Sequence, residues 1–134
     1  MLGAIVAAML LGTAAGPIQV DVGKADWGSM PPLRAVERPL PTPAMVGKVE
    51  AMLHSGQCTI SGQSAKRFDI SVPYAVLVEP DGSARRVVVA ETGCAPLESL
   101  VGLVVLTLAE QGDFRASGEA SPRWYASELN FTQQ

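Results

Sequence analysis

Residues 69–91 read DISVPYAVLVEPDGSARRVVVAE, and they carry the most informative structural pattern of the chain. From Ile70 to Val78, large apolar residues alternate with smaller or polar ones, which is the period of a half-buried strand. Pro80, Asp81 and Gly82 then supply a turn, because proline presets φ, aspartate bonds nearby backbone and glycine accepts positive φ. A second β-rich run, residues 85–91, returns from that turn. The stretch therefore predicts a β-hairpin.

An apolar helix is predicted directly after the hairpin. Pro96 suits the first helical turn and Gly112 suits the position just past the last turn. One face carries aligned apolar side chains, each contributing roughly 1.5–3 kcal/mol when fully buried. That face consists of Leu97, Leu100, Val101, Val104 and Leu108, with Val105 at its edge. The opposite face consists of Glu98, Ser99, Gly102, Ala109 and Glu110.

Two leucines fall on the polar side of this helix. Leu103 and Leu106 are either covered by another segment or form an interaction surface. We take them as a candidate secondary interface.

A shorter helix and a last strand complete the predicted elements. Thr42 is placed as N-cap and Pro43 as first helical residue of a run that ends at Ser55-Gly56. Residues 123–132 alternate so that Tyr125, Leu129 and Phe131 share one face, which predicts a strand. The predicted fold class is α+β: a small antiparallel sheet, made of the hairpin and the C-terminal strand, packed against one main helix and a short N-terminal helix.

The N-terminal region divides into two parts. Residues 1–16 are apolar, end in small residues and precede Pro17, which is typical of a secretory signal peptide, although no lysine or arginine comes before the apolar run. An uncleaved anchor and a buried N-terminal helix are the alternatives, and the run is shorter than the roughly 20 residues of a bilayer span. Residues 17–41 are proline-rich and extended, serving as a linker or as a chain wrapped over the domain of residues 42–134.

Composition excludes several functions. The chain has ten Lys and Arg against thirteen Asp and Glu, with a net charge of -3, so nucleic acid is not an expected partner. No small-molecule substrate is evident. His54 is the only histidine, so no serine or cysteine nucleophile has both a histidine base and a group that orients that base. The chain has three Cys and His residues in all, and a structural zinc site needs four such ligands. We expect neither catalysis nor a cofactor.

Cys58 and Cys94 are the only cysteines, so they form at most one disulfide. Two buried, reduced thiols are the alternative. Both residues lie at the ends of predicted elements near one side of the sheet, and export would place them where a disulfide persists. We predict that they are joined.

The order of hairpin, helix and last strand resembles the C-terminal domain of the TonB family over about residues 41–132. The matching motifs are VEPDG at 78–82, VVV at 87–89, ETGCAPL at 91–97 and GDFRA at 112–116. Pro41-Thr42-Pro43 before a short helix is similar to the proline-containing entry of that family. The chain departs from the family in three respects: the helix exit lacks its usual tryptophan, Ala116 stands where proline is frequent, and the spacer is short.

The resemblance implies a periplasmic or secreted cell-envelope protein that pairs a strand with a short peptide of a protein partner. The last strand follows a loop and precedes the chain end, so we expect it at a sheet border. The candidate edge consists of Tyr125, Ser127, Glu128, Leu129 and Asn130. Proline at Ser127 or Leu129 is expected to remove a hydrogen-bond donor from it. The alternative function is a periplasmic structural or dimerising protein, such as a homodimer, without a transport role.

Overall fold

The computed structural model describes residues 17–33, 40–114 and 118–133. The fold is α+β, with a four-stranded mixed sheet and two helices that share one hydrophobic core. In chain order the elements are β1 (Gln19–Gly23), a 3₁₀ turn (Trp27–Ser29), α1 (Pro43–Ser55), β2 (Phe68–Val78), β3 (Ala84–Ala90), α2 (Ala95–Glu110) and β4 (Arg123–Gln133). The apolar run of residues 1–16 lies outside the described residues.

The predicted hairpin is confirmed. β2 and β3 pair antiparallel, and the connecting turn is closed by bonds from the Glu79 N–H to the Ser83 carbonyl (2.8 Å) and from the Gly82 N–H to the Glu79 carbonyl (2.9 Å). Gly82 has φ of 92°, a conformation that costs other residues steric strain. The Asp81 carboxylate accepts hydrogen bonds from both the hydroxyl and the N–H of Ser83. These bonds, the one from the hydroxyl above all, hold the pKa of Asp81 below its usual value.

The core lies between one face of the sheet and the two helices. The alternating apolar residues of β2 are buried there, as the sequence predicts: Ile70, Val72, Tyr74, Val76 and Val78. The predicted apolar face of α2 is also buried, including Leu97, Val101 and Val105, each at 0% exposure. Burial of apolar area of this kind is the main favourable term in folding.

The sheet differs from the predicted one in its first strand. The strand order is β1-β3-β2-β4, and β1 pairs parallel with β3, so the sheet is mixed rather than antiparallel. β1 comes from the segment expected to be an extended linker or a wrapped chain. Its five residues, QVDVG, are too short to show a strand period in the sequence. Wrapping is the arrangement that the structure has.

Gly102 corrects the predicted polar face of α2. The residue is buried, and a Cβ built on it would lie 3.1 Å from Cγ1 of Val20 on β1. The helix therefore approaches the edge strand at a position without a side chain. This approach was not predictable without knowing that β1 joins the sheet.

Both helices end as the sequence predicts, within one or two residues. Thr42 caps α1 by accepting from the Met45 N–H (3.3 Å), and Gly56 ends it with φ of 82°. α2 starts at Ala95 and ends at Glu110, and Gly112 follows with φ of 71°. The Gly112 N–H bonds the Ala109 carbonyl and the Asp113 N–H bonds the Leu108 carbonyl, which is the Schellman arrangement.

Cys58 and Cys94 form a disulfide with a Cα–Cα distance of 5.2 Å, which confirms the predicted pairing. The bond joins the chain after α1 to the residue that precedes α2. Both cysteines are buried, at 5% and 1% exposure. The disulfide thus fixes the two helices relative to each other on the same face of the sheet.

Replacing both cysteines by alanine is expected to lower the free energy of unfolding by about 4 kcal/mol, because the loop they close spans 36 positions of the sequence. Urea unfolding of the two proteins measures the difference. A variant as stable as the wild type, or two thiols that alkylate in the native protein, would contradict this role.

Candidate functional site

β4 lies at one border of the described sheet and pairs with β2 along its whole length, from Arg123 opposite Val78 to Gln133 opposite Phe68. The candidate edge residues are distributed over both faces of this strand. Leu129 is buried and Tyr125 is partly buried on the helix side, whereas Glu128 and Asn130 are exposed on the other face. The predicted alternation of side chains in β4 is confirmed.

The backbone of β4 shows which groups face outward. The Ala126 N–H donates to the Pro31 carbonyl (3.0 Å), and its carbonyl accepts from the Leu33 N–H (2.9 Å). Since N–H and C=O directions alternate along an antiparallel strand, Glu128 and Asn130 also direct these groups away from β2. Ser127 and Leu129 direct theirs toward β2. The expectation that proline at Ser127 or Leu129 removes an edge donor is therefore wrong, because it would remove a bond inside the sheet.

Part of this border is occupied by the protein's own N-terminal segment. We call residues 17–33 the N-terminal strap. It starts as β1 beside β3, continues through the 3₁₀ turn that contacts β2 and β4, and ends with Pro32 in a parallel bridge to Ala126. Ala75 lies on the face away from the helices and is still only 1% exposed, consistent with a strap that crosses this face.

Beyond the strap, the same face carries a polar network between β2 and β4. The Asn130 amide donates to Oδ1 of Asp69 and to Oγ of Ser71, both at 2.8 Å. The Ser71 hydroxyl donates to Glu128 at 3.4 Å, and Thr132 also donates to Asp69. These side chains are exposed, so they fix one another's positions without forming a buried site. The outer half of the border therefore presents an ordered, polar surface.

On the other half of this face, an arginine links three strands. The Arg86 guanidinium on β3 lies 3.2 Å from the Asp21 carboxylate on β1 and 5.7 Å from the ring centroid of Trp124 on β4. Both ion-pair partners are substantially exposed, so the pair contributes little to stability. Its consequence is that the charge of Asp21 is paired within the chain.

Ser127 has a role that the sequence did not indicate. It lies opposite Tyr74 in the register of β2 and β4 and hydrogen-bonds the Tyr74 side chain. Burial raises the pKa of the Tyr74 phenol, and the bond to Ser127 opposes that shift. Ser127 therefore belongs to the support of β4 rather than to its free edge.

The candidate secondary interface is split. Leu103 is 59% exposed, whereas Leu106 is partly covered. The other large apolar side chains exposed among the described residues are Val20 at 37% and Val22 at 48%, both on β1. Gly102 approaches Val20 on β1, whereas the side chain of Leu103, the next residue of α2, projects about 100° further round the helix.

Two carboxylates, one in the hairpin turn and one in the first turn of α2, have structural partners. Glu98 accepts from the N–H groups of Thr92 (2.6 Å) and Gly93 (3.1 Å) and so holds the loop before α2. Glu79 pairs with Arg85 at 3.0 Å across the hairpin. Within residues 17–33, 40–114 and 118–133, no three Asp, Glu, His or Cys side chains are grouped so that they could hold a metal ion.

Comparison of the chain with protein-family models, with curated proteins and with solved structures gives no match. The resemblance to the TonB C-terminal domain therefore rests only on short sequence motifs and on the order of elements predicted from the sequence. No helix in the described part of the chain is long and apolar enough to cross a membrane.

Tyr74 is expected to make the fold sensitive to alkali. Because burial raises its pKa in the folded chain, its stabilising contribution is fully present below the ordinary tyrosine value of about 10 and is lost as the pH rises through the raised pKa. Tyr74→Phe should remove this loss while costing about 0.5–1.5 kcal/mol at neutral pH through the bond to Ser127.

Denaturant unfolding at a series of pH values measures both effects. Ser127→Ala is the matched control, because it removes the same hydrogen bond and keeps the phenol, so its alkaline loss should persist. A pH dependence in Tyr74→Phe equal to that of the wild type would contradict the assignment.

Proposed function

We propose that this protein is exported to the cell envelope and acts as a non-catalytic module with a TonB C-terminal-like domain, binding an extended segment of a protein partner by strand addition to β4. Strand addition needs a sheet border with outward N–H and C=O groups and room for an incoming chain. Glu128 and Asn130 supply those groups beyond the strap. The backbone of the partner would bond these groups, and its side chains would point alternately to the two faces of the sheet.

One observation carries this proposal: the border of β4 already accepts an extended chain. Pro31 and Leu33 of the strap bond both backbone groups of Ala126, in parallel orientation. The next outward positions, Glu128 and Asn130, lie on the same line, and no strand other than β2 pairs with them among the described residues. Residues 34–39, which follow the strap in the chain, lie outside the described residues; among the described residues, the outward groups of Glu128 and Asn130 are open to a partner segment.

The disulfide supports the envelope location. A bond between Cys58 and Cys94 indicates an oxidising, extracytoplasmic compartment, because cytosolic thiols are kept reduced. The apolar residues 1–16 are a signal peptide in this proposal, and removal of that segment would leave the strap at the start of the mature chain. The periplasm is the compartment that the resemblance to the TonB family implies.

The second candidate is a structural or dimerising envelope protein. It is favoured by the exposed apolar residues Val20 and Val22 on β1 and, separately, by exposed Leu103 on α2. The two functions use opposite borders of the sheet and are separable by substitutions at one border at a time.

Substitution of Glu128 or Asn130 by proline is expected to abolish partner binding, because each change deletes an outward N–H while leaving the bonds to β2 in place. A photoreactive residue at Thr132, the next outward position, should cross-link the partner in envelope extracts, and mass spectrometry then identifies the bound segment. Binding of that segment as a synthetic peptide is measured for the wild type and for each proline variant.

Glu128→Lys is the matched control, because it changes a side chain at the same position and keeps the backbone donor. It should alter preference among peptides without abolishing binding. Circular dichroism must show that the proline variants are folded. Undiminished peptide binding by a folded Glu128→Pro or Asn130→Pro protein would exclude this border.

Export is expected to remove the apolar segment by cleavage near Ala15 or Gly16, since small residues there suit a signal peptidase. Intact mass and N-terminal sequencing of protein isolated from cells decide the point. Recovery from the cytosol with Met1 still present would refute the envelope location.

A further inference from the structure

We propose that β1 forms a second, independent interface, at which two copies of this chain join their sheets by antiparallel pairing of β1 with β1. This inference does not depend on the proposed binding at β4. It concerns the opposite border of the sheet, where β1 is the last described strand.

The backbone of β1 leaves one set of groups unpaired within the described chain. The Gly23 carbonyl accepts from the Glu91 N–H at 3.1 Å, so Gly23 directs its backbone groups toward β3. Because backbone directions alternate along a strand, Asp21 also directs its N–H and C=O toward β3. Val20 and Val22 direct these groups away from the sheet. Ile18 precedes β1 in the same phase.

The side chains at this border differ in character from those at β4. Val20 and Val22 are exposed large apolar residues, and both lie on the helix side of this border, since their partners in β3 are buried there. Proteins usually protect a free edge with charge, proline or a covering segment. β4 has Glu128 and the strap, whereas the charge of Asp21 is already paired with Arg86 on the other face.

A second copy fits this border because β1 is complementary to itself in one register. With Val20 opposite Val20 of the second copy, Ile18 lies opposite Val22, and the residues of each such pair exchange both backbone hydrogen bonds. Asp21 then lies opposite Gln19, whose amide already donates to Asp21 within the chain at 2.9 Å. Amide donors therefore meet carboxylates across the twofold axis.

Neighbouring registers are less favourable. Centring the pair on Asp21 sets two carboxylates opposite each other, and centring it on Val22 sets Val20 opposite Lys24. The Val20 register also gathers the exposed valines of both copies on the helix side of the joined sheet. A closed twofold pair of this kind uses the same patch on both subunits.

Disulfide trapping tests the register with a matched control. Residues of a hydrogen-bonded antiparallel pair have Cα atoms about 5.5 Å apart, within the range of a disulfide. Val20→Cys in the mature protein should therefore cross-link to a covalent dimer under mild oxidation. Val22→Cys, equally placed on the border, should not, because its two copies would be about 13 Å apart, four residues along the strand.

Sedimentation of the uncross-linked proteins gives the second measurement. The wild type should be a concentration-dependent dimer, Val20→Lys with Val22→Lys should raise the dimer dissociation constant at least about tenfold, and Glu128→Pro should leave it unchanged. A monomeric wild type at the highest soluble concentration would overturn the proposal and leave β1 to an unrelated extended segment. Equal cross-linking at Val22, or loss of the dimer in a folded Glu128→Pro protein, would also overturn it.

Discussion

The structure depends on β2, the strand that pairs with both β3 and β4 and packs against the helices. β3 pairs with its second half, from Tyr74 to Val78, and β4 pairs with its whole length through eleven consecutive residue pairs. The helix-facing side chains of β2 fill the centre of the core, and Val72 and Val76 are 0% exposed. With β2 in this inner position, the borders of the described sheet are made by β1 and β4.

The N-terminal strap makes the two borders unequal. It supplies β1 as the outermost described strand on one side and crosses the face away from the helices. On the other side, its described residues bond the backbone of Ala126. The β4 border is thus part covered and part polar, with the network around Asn130 ordering its exposed half. The β1 border is short and apolar. The two borders are therefore different surfaces.

The sequence predicts the elements whose signals are local. The alternation in β2, the turn at Asp81 and Gly82, and the caps at Thr42 and Gly112 each depend on residues close together in the chain, and all are found. The disulfide could be predicted because only two cysteines exist. β1 could not, since five residues with one aspartate show too little periodicity and its parallel partner is distant in sequence.

In the candidate site, too, local features could be predicted from the sequence, whereas features that depend on distant segments could not. Side-chain alternation in β4 follows from a period of two and needs no partner, so Leu129 and Glu128 are placed correctly from sequence. Which backbone groups face outward depends on the side that β2 occupies, and the sequence does not contain that information. The roles of Ser127 toward Tyr74 and of Gly102 toward Val20 likewise arise from contacts between distant segments.

Amide hydrogen exchange resolved by residue tests most directly the claim that β4 offers a partly open border. Exchange rates report whether each N–H is held in a hydrogen bond that persists in the folded state. We predict slow exchange at Ser127, Leu129 and Phe131, which face β2, and at Ala126, which the strap covers, with fast exchange at Glu128 and Asn130. Exchange at Glu128 and Asn130 as slow as at Leu129 would show a covered border and contradict this claim.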